Sequence, residues 1–419
     1  MPPKKDVLPK DARPGNALTD TTAVLVKAFA LKKMSNPFVT LNDDDFLKPL
    51  PHIPTGSIMI DYLMGGKLNR YGVAPCPGFP KGKIVNLYGQ ESSGKTTLSL
   101  MVAASVIATG GTVVYIDWEN AIVPSYAKSL GVPIEDKHHF MLCQPETLEQ
   151  GAAIIYACAE RGVDLIVIDS VGAGVPQAVL DQTIDEKGKQ GRVGAMAQLW
   201  SNMLPQFRNK IMRSGSCIVG ISQLRKSINT TGHGPAPAPA AQGGEAWKFY
   251  SDIRFGLRRL NMEKSKEWDA MAHSSKEEIA TGAKIRAKAD KCKVSAMQGR
   301  EVDFYIKFGE GIDDLRSVVE YASKLGIVKK EGSWYSWECP NGEAVRVQGT
   351  EKFQAAVKDA PNGVAELRRV TLERLYASDA ALVAEDDKTE DDDMLDLDSI
   401  LSGGLKSVTA VLEEEEGSA

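Results

Sequence analysis

Residues 83–97 read Lys83-Ile84-Val85-Asn86-Leu87-Tyr88-Gly89-Gln90-Glu91-Ser92-Ser93-Gly94-Lys95-Thr96-Thr97. An apolar run that reads as a buried strand passes straight into G-x-x-x-x-G-K-T, and residues 97–108 have the composition of a helix. That order is what a phosphate cradle requires. Gly89 and Gly94 let backbone N–H groups turn inward on phosphate oxygens, Lys95 brings a point charge to the terminal phosphates, and the Thr96 hydroxyl is placed to ligate Mg²⁺. The positive end of the following helix faces the same anions. A glycine-rich turn without function needs neither the strand before nor the helix after, so the stretch predicts a nucleotide site.

Outward from it, strand-like apolar runs alternate with helical segments between residues 56 and 311, at 83–88, 112–116, 165–168, 217–221, 253–257 and 302–306. Near-continuous apolar strands argue an α/β fold with a doubly covered, mainly parallel sheet and antiparallel additions near its end. Two polar stretches interrupt the rhythm. One spans 181–192 and carries Lys187, Lys189 and Arg192; the other spans 224–242 and carries Arg225, Lys226, His233 and an Ala-Pro run. Loops of this length inside a compact core are usually functional or disordered.

Upstream, residues 1–16 are rich in Pro and Lys and read as disordered, 19–34 as an amphipathic helix and 38–41 as a short strand. Asp43-Asp44-Asp45 and the prolines of 49–54 mark a boundary. Beyond 311 comes a small α+β unit in which Trp334, Tyr335 and Trp337 are expected in the core. The expected division is 1–55, a disordered start with a helix and strand; 56–312, the nucleotide-binding core; 313–377, a small C-terminal domain; and 378–419, an acidic disordered tail.

At 419 residues the chain has ample material for a core, and its six cysteines are scattered without a C-x-x-C pair. That spacing offers neither a zinc module nor a disulfide framework, so a reducing compartment is expected. With no apolar run of about 18 residues and no signal-peptide core at Met1-Pro2-Pro3-Lys4-Lys5, the reading is cytoplasmic, with no membrane partner. Charge is divided unevenly: residues 378–419 hold 14 acidic and 2 basic side chains, a net of −12, which leaves +7 on residues 1–377 out of the total −5. A basic body with an acidic tail suits polyanion binding moderated by an internal competitor, although a solvated tail that only aids solubility reads equally well.

Three strand ends carry the remaining chemistry. Leu165-Ile166-Val167-Ile168 closes on Asp169, a carboxylate placed to order the Mg²⁺ shell beside Thr96. Residues 112–116 lead into Asp117-Trp118-Glu119-Asn120, so Glu119 faces the same crevice and is the candidate to orient an attacking water. The run 217–221 is followed by Ser222-Gln223 just where the second long loop begins, and the Gln223 amide is positioned to report on a γ-phosphate.

Taken together, GQESSGKTT (89–97), YIDWE (115–119), SYAKSLGV (125–132), IDSV (168–171), GGEAWKFY (243–250) and GEGI (309–312) strongly resemble the bacterial RecA recombinases in order and spacing. The resemblance covers about residues 19–376, and it implies that the helix and strand within 1–55 are an oligomerisation segment and that 56–312 is a RecA-like ATPase core. It implies ATP with Mg²⁺ as the bound nucleotide, held by Gly89, Gln90, Glu91, Ser92, Ser93, Gly94, Lys95, Thr96, Thr97, Asp169 and Gly309, with Tyr126 stacking on the adenine. It further implies Glu119 as the catalytic carboxylate, Lys95 and Gln223 as its helpers, and Lys291 and Lys293 as cations that reach a neighbouring subunit's γ-phosphate. The stretches 181–192 and 224–242 resemble the family's DNA-binding loops, which gives Lys187, Lys189, Arg192, Arg225, Lys226, Gly243 and Gly244 as DNA contacts.

By the same resemblance, the chain is expected to form a helical filament on single-stranded DNA and to exchange that strand with homologous duplex DNA. A single-strand-binding or loader protein docked on the acidic tail is a further expected partner. A ring helicase of the same fold, or a filament ATPase without strand exchange, uses the same crevice and stands as the alternative. Departures mark a divergent member, of bacterial or bacteriophage source: Val123 replaces an acidic residue near the adenine, Gln198 and Pro205 replace arginines, residues 65–78 are inserted, and the second loop lacks a large wedge beyond Leu224 and Ile228.

Overall fold

The computed structural model describes residues 25–27, 47–69, 71–181, 192–225, 240–241, 243–266, 278–339 and 344–386. The chain divides into two compact units, residues 1–47 and 48–419. In the first, residues 25–27 are helical, inside the helix predicted over 19–34; the strand predicted over 38–41 lies outside the described residues.

Among the described residues, the second unit is built on a ten-stranded sheet. A short ribbon, β1 (His52–Ile53) with β2 (Phe79–Pro80), precedes it. The sheet strands are β3 (Ile84–Gly89), β4 (Val113–Asp117), β5 (Phe140–Cys143), β6 (Leu165–Asp169), β7 (Cys217–Arg225), β8 (Ala240–Ala241), β9 (Ile253–Lys266), β10 (Glu278–Cys292), β11 (Glu301–Lys307) and β12 (Gly311–Ile312). Their order is β12-β11-β10-β9-β3-β7-β6-β4-β5, with β8 paired to β7. Pairing is parallel from β9 through β3, β7, β6 and β4 to β5, and antiparallel from β9 to β12.

The parallel strands are apolar on both faces because each face is covered. Alternate side chains of a strand point to opposite sides, so Val113, Tyr115, Leu165 and Val167 join one layer with Leu98 and Val102 of helix Lys95–Ala108. Val114, Ile116, Ile166 and Ile168 join the other, with Ile155 of helix Leu148–Arg161, Trp200 and Phe207 of helix Arg192–Ser214, and Trp247 of helix Gly244–Tyr250. Within the stretch 65–78 expected to be inserted, Val73, Ala74 and Cys76 are buried. Among the described residues no helix is long and apolar enough to cross a membrane.

One strand went unread and two expectations need correction. The sequence pattern over β10 does not announce a strand, because its buried face is Ala283, Ile285, Ala287 and Ala289; the intervening Lys284 and Arg286 are satisfied by Glu320 and Asp303. Trp334 is exposed, whereas Tyr335 and Trp337 enter the C-terminal core with Phe353, Val357 and Leu367. Most consequentially, helix Gly363–Asp386 runs through the expected tail boundary at Ser378. Its Leu372, Leu375 and Tyr376 join the main apolar layer, and Asp379 is buried, accepting hydrogen bonds from Tyr62 Oη (2.6 Å) and Arg300 Nη1 (2.7 Å).

Asp379 therefore belongs to the folded body. Asp379→Ala leaves the Tyr62 hydroxyl without its buried partner, while Arg300, about a third exposed, regains water. The expected loss is about 2–3 kcal/mol of unfolding free energy, read from urea titration. A variant as stable as the parent refutes the assignment of this carboxylate as a latch for the helix.

Candidate active site

The loop between β3 and helix Lys95–Ala108 owes its shape to two glycines. A Cβ on Gly89 would strike the Leu257 carbonyl, and one on Gly94, whose φ is 86°, would strike the Ile306 side chain. Between them the Lys95 ammonium is folded into the loop, donating to the carbonyls of Gly89 (3.1 Å) and Gln90 (2.7 Å). Burial lowers its pKa, while Asp169, Glu119 and Glu91 oppose that shift. Ser93 is buried; Gln90, Glu91 and Ser92 are exposed.

Behind the loop, Thr96 Oγ1 donates to Asp169 Oδ2 (2.9 Å), and the same oxygen accepts from the buried Tyr115 hydroxyl (3.0 Å), which lies 3.0 Å from Ser99 Oγ. Burial pushes the Asp169 pKa up to about 6, with Glu119 and Asp117 adding repulsion against the two hydrogen bonds. A divalent cation beside Asp169 would relieve that repulsion. The donor set fits Mg²⁺ and a triphosphate: a hydroxyl, a carboxylate and an ammonium lie together at the glycine-bounded loop. Among the described residues no group of three or more His, Cys, Asp or Glu could hold a metal unaided. Mg²⁺ typically takes one or two protein ligands beside phosphates and water.

At the neighbouring strand ends, Glu119 accepts from Gln223 Nε2 at 2.8 Å and 2.9 Å and from the Ser170 hydroxyl. Three strands thus meet in one carboxylate: β4 presents it, β6 supplies Ser170, and β7 supplies Gln223. The turn that projects Glu119 is held by Asp117, which accepts from the backbone N–H groups of Ala121 and Ile122. Tyr126, on helix Pro124–Ser129, sits 2.7 Å from Thr97 Oγ1. Gly309 is exposed in the turn between β11 and β12, with φ 82°.

Lys291 and Lys293 lie elsewhere. β10 runs antiparallel to β9, so Cys292 pairs with Ile253 at the amino end of the parallel strands, while Gly89 pairs with Leu257 at the carboxyl end. Those four residues of strand separate the lysines from the phosphate loop by at least ~13 Å. Lys291 Nζ caps helix Gly244–Tyr250 through the carbonyls of Lys248 and Phe249, both at 2.9 Å. Burial lowers its pKa, and Lys293, Arg254 and Arg208 lower it further.

A profile of the RecA N-terminal domain family matches residues 30–313. The chain belongs to the RecA family. Protein RecA of Thermus thermophilus is 36% identical over 339 residues, 81% of this chain and 89% of that one. Protein RecA of Borrelia hermsii is 38% identical over 290 residues, covering 69% and 73%. Protein RecA of Corynebacterium glutamicum (strain R) is 34% identical over 394 residues, covering 93% and 94%. The chain is thus an ATP-dependent DNA recombinase of the RecA family, and the helicase alternative is not favoured.

Of the RecA-type loop residues, Lys187, Lys189 and Lys226 lie outside the described residues, as do the side chains of Arg192, which opens its helix, and Arg225, which ends β7. Gly243 is buried under Val171 and Trp247, and Gly244 is exposed; both have positive φ, 96° and 76°. The acidic stretch beyond Asp386 also lies outside them. Sequence reasoning missed Tyr115, Ser99 and the bracing role of Asp117. Tyr115 and Asp117 flank the strand end that it did read, so a polar side chain in the apolar run 113–117 was the available signal.

Proposed function

We propose that this recombinase hydrolyses ATP in a site shared by neighbouring subunits of a filament on single-stranded DNA, and pairs the bound strand with homologous duplex. One observation carries the reading: the phosphate loop and Glu119 open at the carboxyl edge of the sheet, while Lys291 and Lys293 sit at the opposite edge with no route to their own loop. Head-to-tail stacking brings the two edges together, and a heterologous contact of that kind propagates as a helix when it does not close.

In the assembled site Lys95, Thr96 and Asp169 would hold the terminal phosphates and Mg²⁺, Tyr126 would stack on the adenine, and Gly309 would join the nucleotide contacts. Bound Mg²⁺ supplies charge neutralisation at the phosphate oxygens. Glu119 orients a water on the γ-phosphorus and accepts its proton as the new P–O bond forms; the bond to the β-phosphate oxygen breaks and ADP leaves with the electron pair. Gln223 is bonded to that carboxylate at the root of the second loop, so phosphate and DNA are read through one amide. Lys187, Lys189, Arg192, Arg225 and Lys226, with the backbone at Gly243 and Gly244, hold phosphates without reading sequence.

Negative-stain microscopy tests the reading with single-stranded DNA and a non-hydrolysable ATP analogue. Helical filaments that require the DNA are expected. Closed rings, or no assembly, overturn it.

A further inference from the structure

Three tryptophans connect the catalytic turn to both loops. Trp118 immediately precedes Glu119; its ring meets Trp200 edge to face at 6.2 Å and 80°. Trp200 in turn meets Trp247 at 5.1 Å and 76°. Trp200 lies on the helix that begins where the first loop ends, at Arg192, and Trp247 on the helix that begins where the second ends, at Gly244. Trp200 and Trp247 are fully buried.

The contacts leave little slack. A Cβ on Gly151 or Gly174 would press on the Trp118 ring, and one on Gly220 or Gly243 would press on Trp247. The Trp200 indole N–H donates to the Val171 carbonyl at 3.0 Å, next to Ser170, whose hydroxyl holds Glu119. The backbone N–H of Trp118 donates to the Asp169 carbonyl at 2.9 Å. Movement of either helix start therefore reaches Glu119 by two routes, ring to ring through Trp118 and through Val171 to Ser170. The indole N–H groups of Trp118 and Trp247 are buried without a hydrogen-bond partner, a cost that a phenylalanine or leucine filling the same space would not carry.

We propose that Trp118, Trp200 and Trp247 are positioning residues that make the orientation of Glu119 depend on the state of both loops. The proposal rests on the DNA-binding reading of those loops. Packed rings have discrete arrangements, so a shift at the loop stems is passed on rather than absorbed.

The test measures ATP turnover of the full chain with and without single-stranded DNA, alongside DNA affinity in the presence of a non-hydrolysable analogue. In Trp118→Leu the ratio of DNA-stimulated to unstimulated turnover falls by roughly tenfold, the scale of a typical coupling between sites, while KM for ATP and DNA affinity stay within about twofold. Trp118→Phe, which keeps an edge-to-face ring, recovers most of the ratio. Gly151→Ala, a substitution its helix accepts, displaces the ring from outside and lowers the ratio as well, so the proposal does not depend on one variant folding. A merely structural role lowers both turnovers together and keeps the ratio, which overturns the relay. A parent enzyme unmoved by single-stranded DNA removes the functional reading and the relay with it; a stimulated parent with an equally stimulated Trp118→Leu removes the relay alone.

Discussion

Glu119→Gln lowers ATP turnover by roughly 10²-fold or more, the scale of a lost general base and about 2.7 kcal/mol of transition-state free energy. The substitution is nearly isosteric. The amide oxygen of the new side chain still accepts from Ser170 and Gln223, which hold the carboxylate now, so the turn keeps its shape and the site loses only its proton acceptor. Nucleotide affinity, measured by titration with a fluorescent analogue, stays within about twofold because Lys95, Thr96 and Asp169 are untouched. The change also removes a negative neighbour that helps to raise Asp169. In the metal-free protein Asp169 then ionises at lower pH, so its titration moves downward, not upward. Turnover near that of the parent shows that the water is activated by another group.

The nucleotide site was legible because its signals are local. The phosphate loop is contiguous, and Asp169 and Glu119 each end or follow an apolar strand whose continuous hydrophobicity reflects cover on both faces. What escaped the sequence is tertiary. The partners of Glu119 come from two other strands, and Tyr115 reaches Asp169 because β4 and β6 are neighbours with Asp117 opposite Asp169. β10 escaped because alanines on its buried face and paired lysine and arginine on the other give weak alternation. Charge composition alone misplaces the tail boundary at Ser378, because Asp379 turns inward to Arg300. The resemblance supplied roles for Lys291 and Lys293; their position at the far edge of the sheet comes from strand direction alone.

Replacing both of these lysines, Lys291→Ala with Lys293→Ala, removes DNA-stimulated hydrolysis, a loss of roughly 10³-fold on the scale of a cation supplied in trans to a transferring phosphoryl group. The folded monomer survives. Within the chain Lys291 caps one helix, and a cation at a helix C-terminus contributes only about 0.3–1 kcal/mol, while removing it relieves repulsion from Arg254 and Arg208. A circular-dichroism melt close to that of the parent is therefore expected, together with shorter filaments on single-stranded DNA. Mixing decides between cis and trans action. Combined in equal amounts with Glu119→Gln subunits, the double variant supplies intact Glu119 and its partner supplies intact lysines, so a junction of the right order has both. If the lysines act across the junction, random head-to-tail assembly restores activity to about a quarter of the parent's, the frequency of that pairing. If they act within their own subunit, every subunit in the mixture is defective and activity stays at the sum of the two variants, which would refute the shared site.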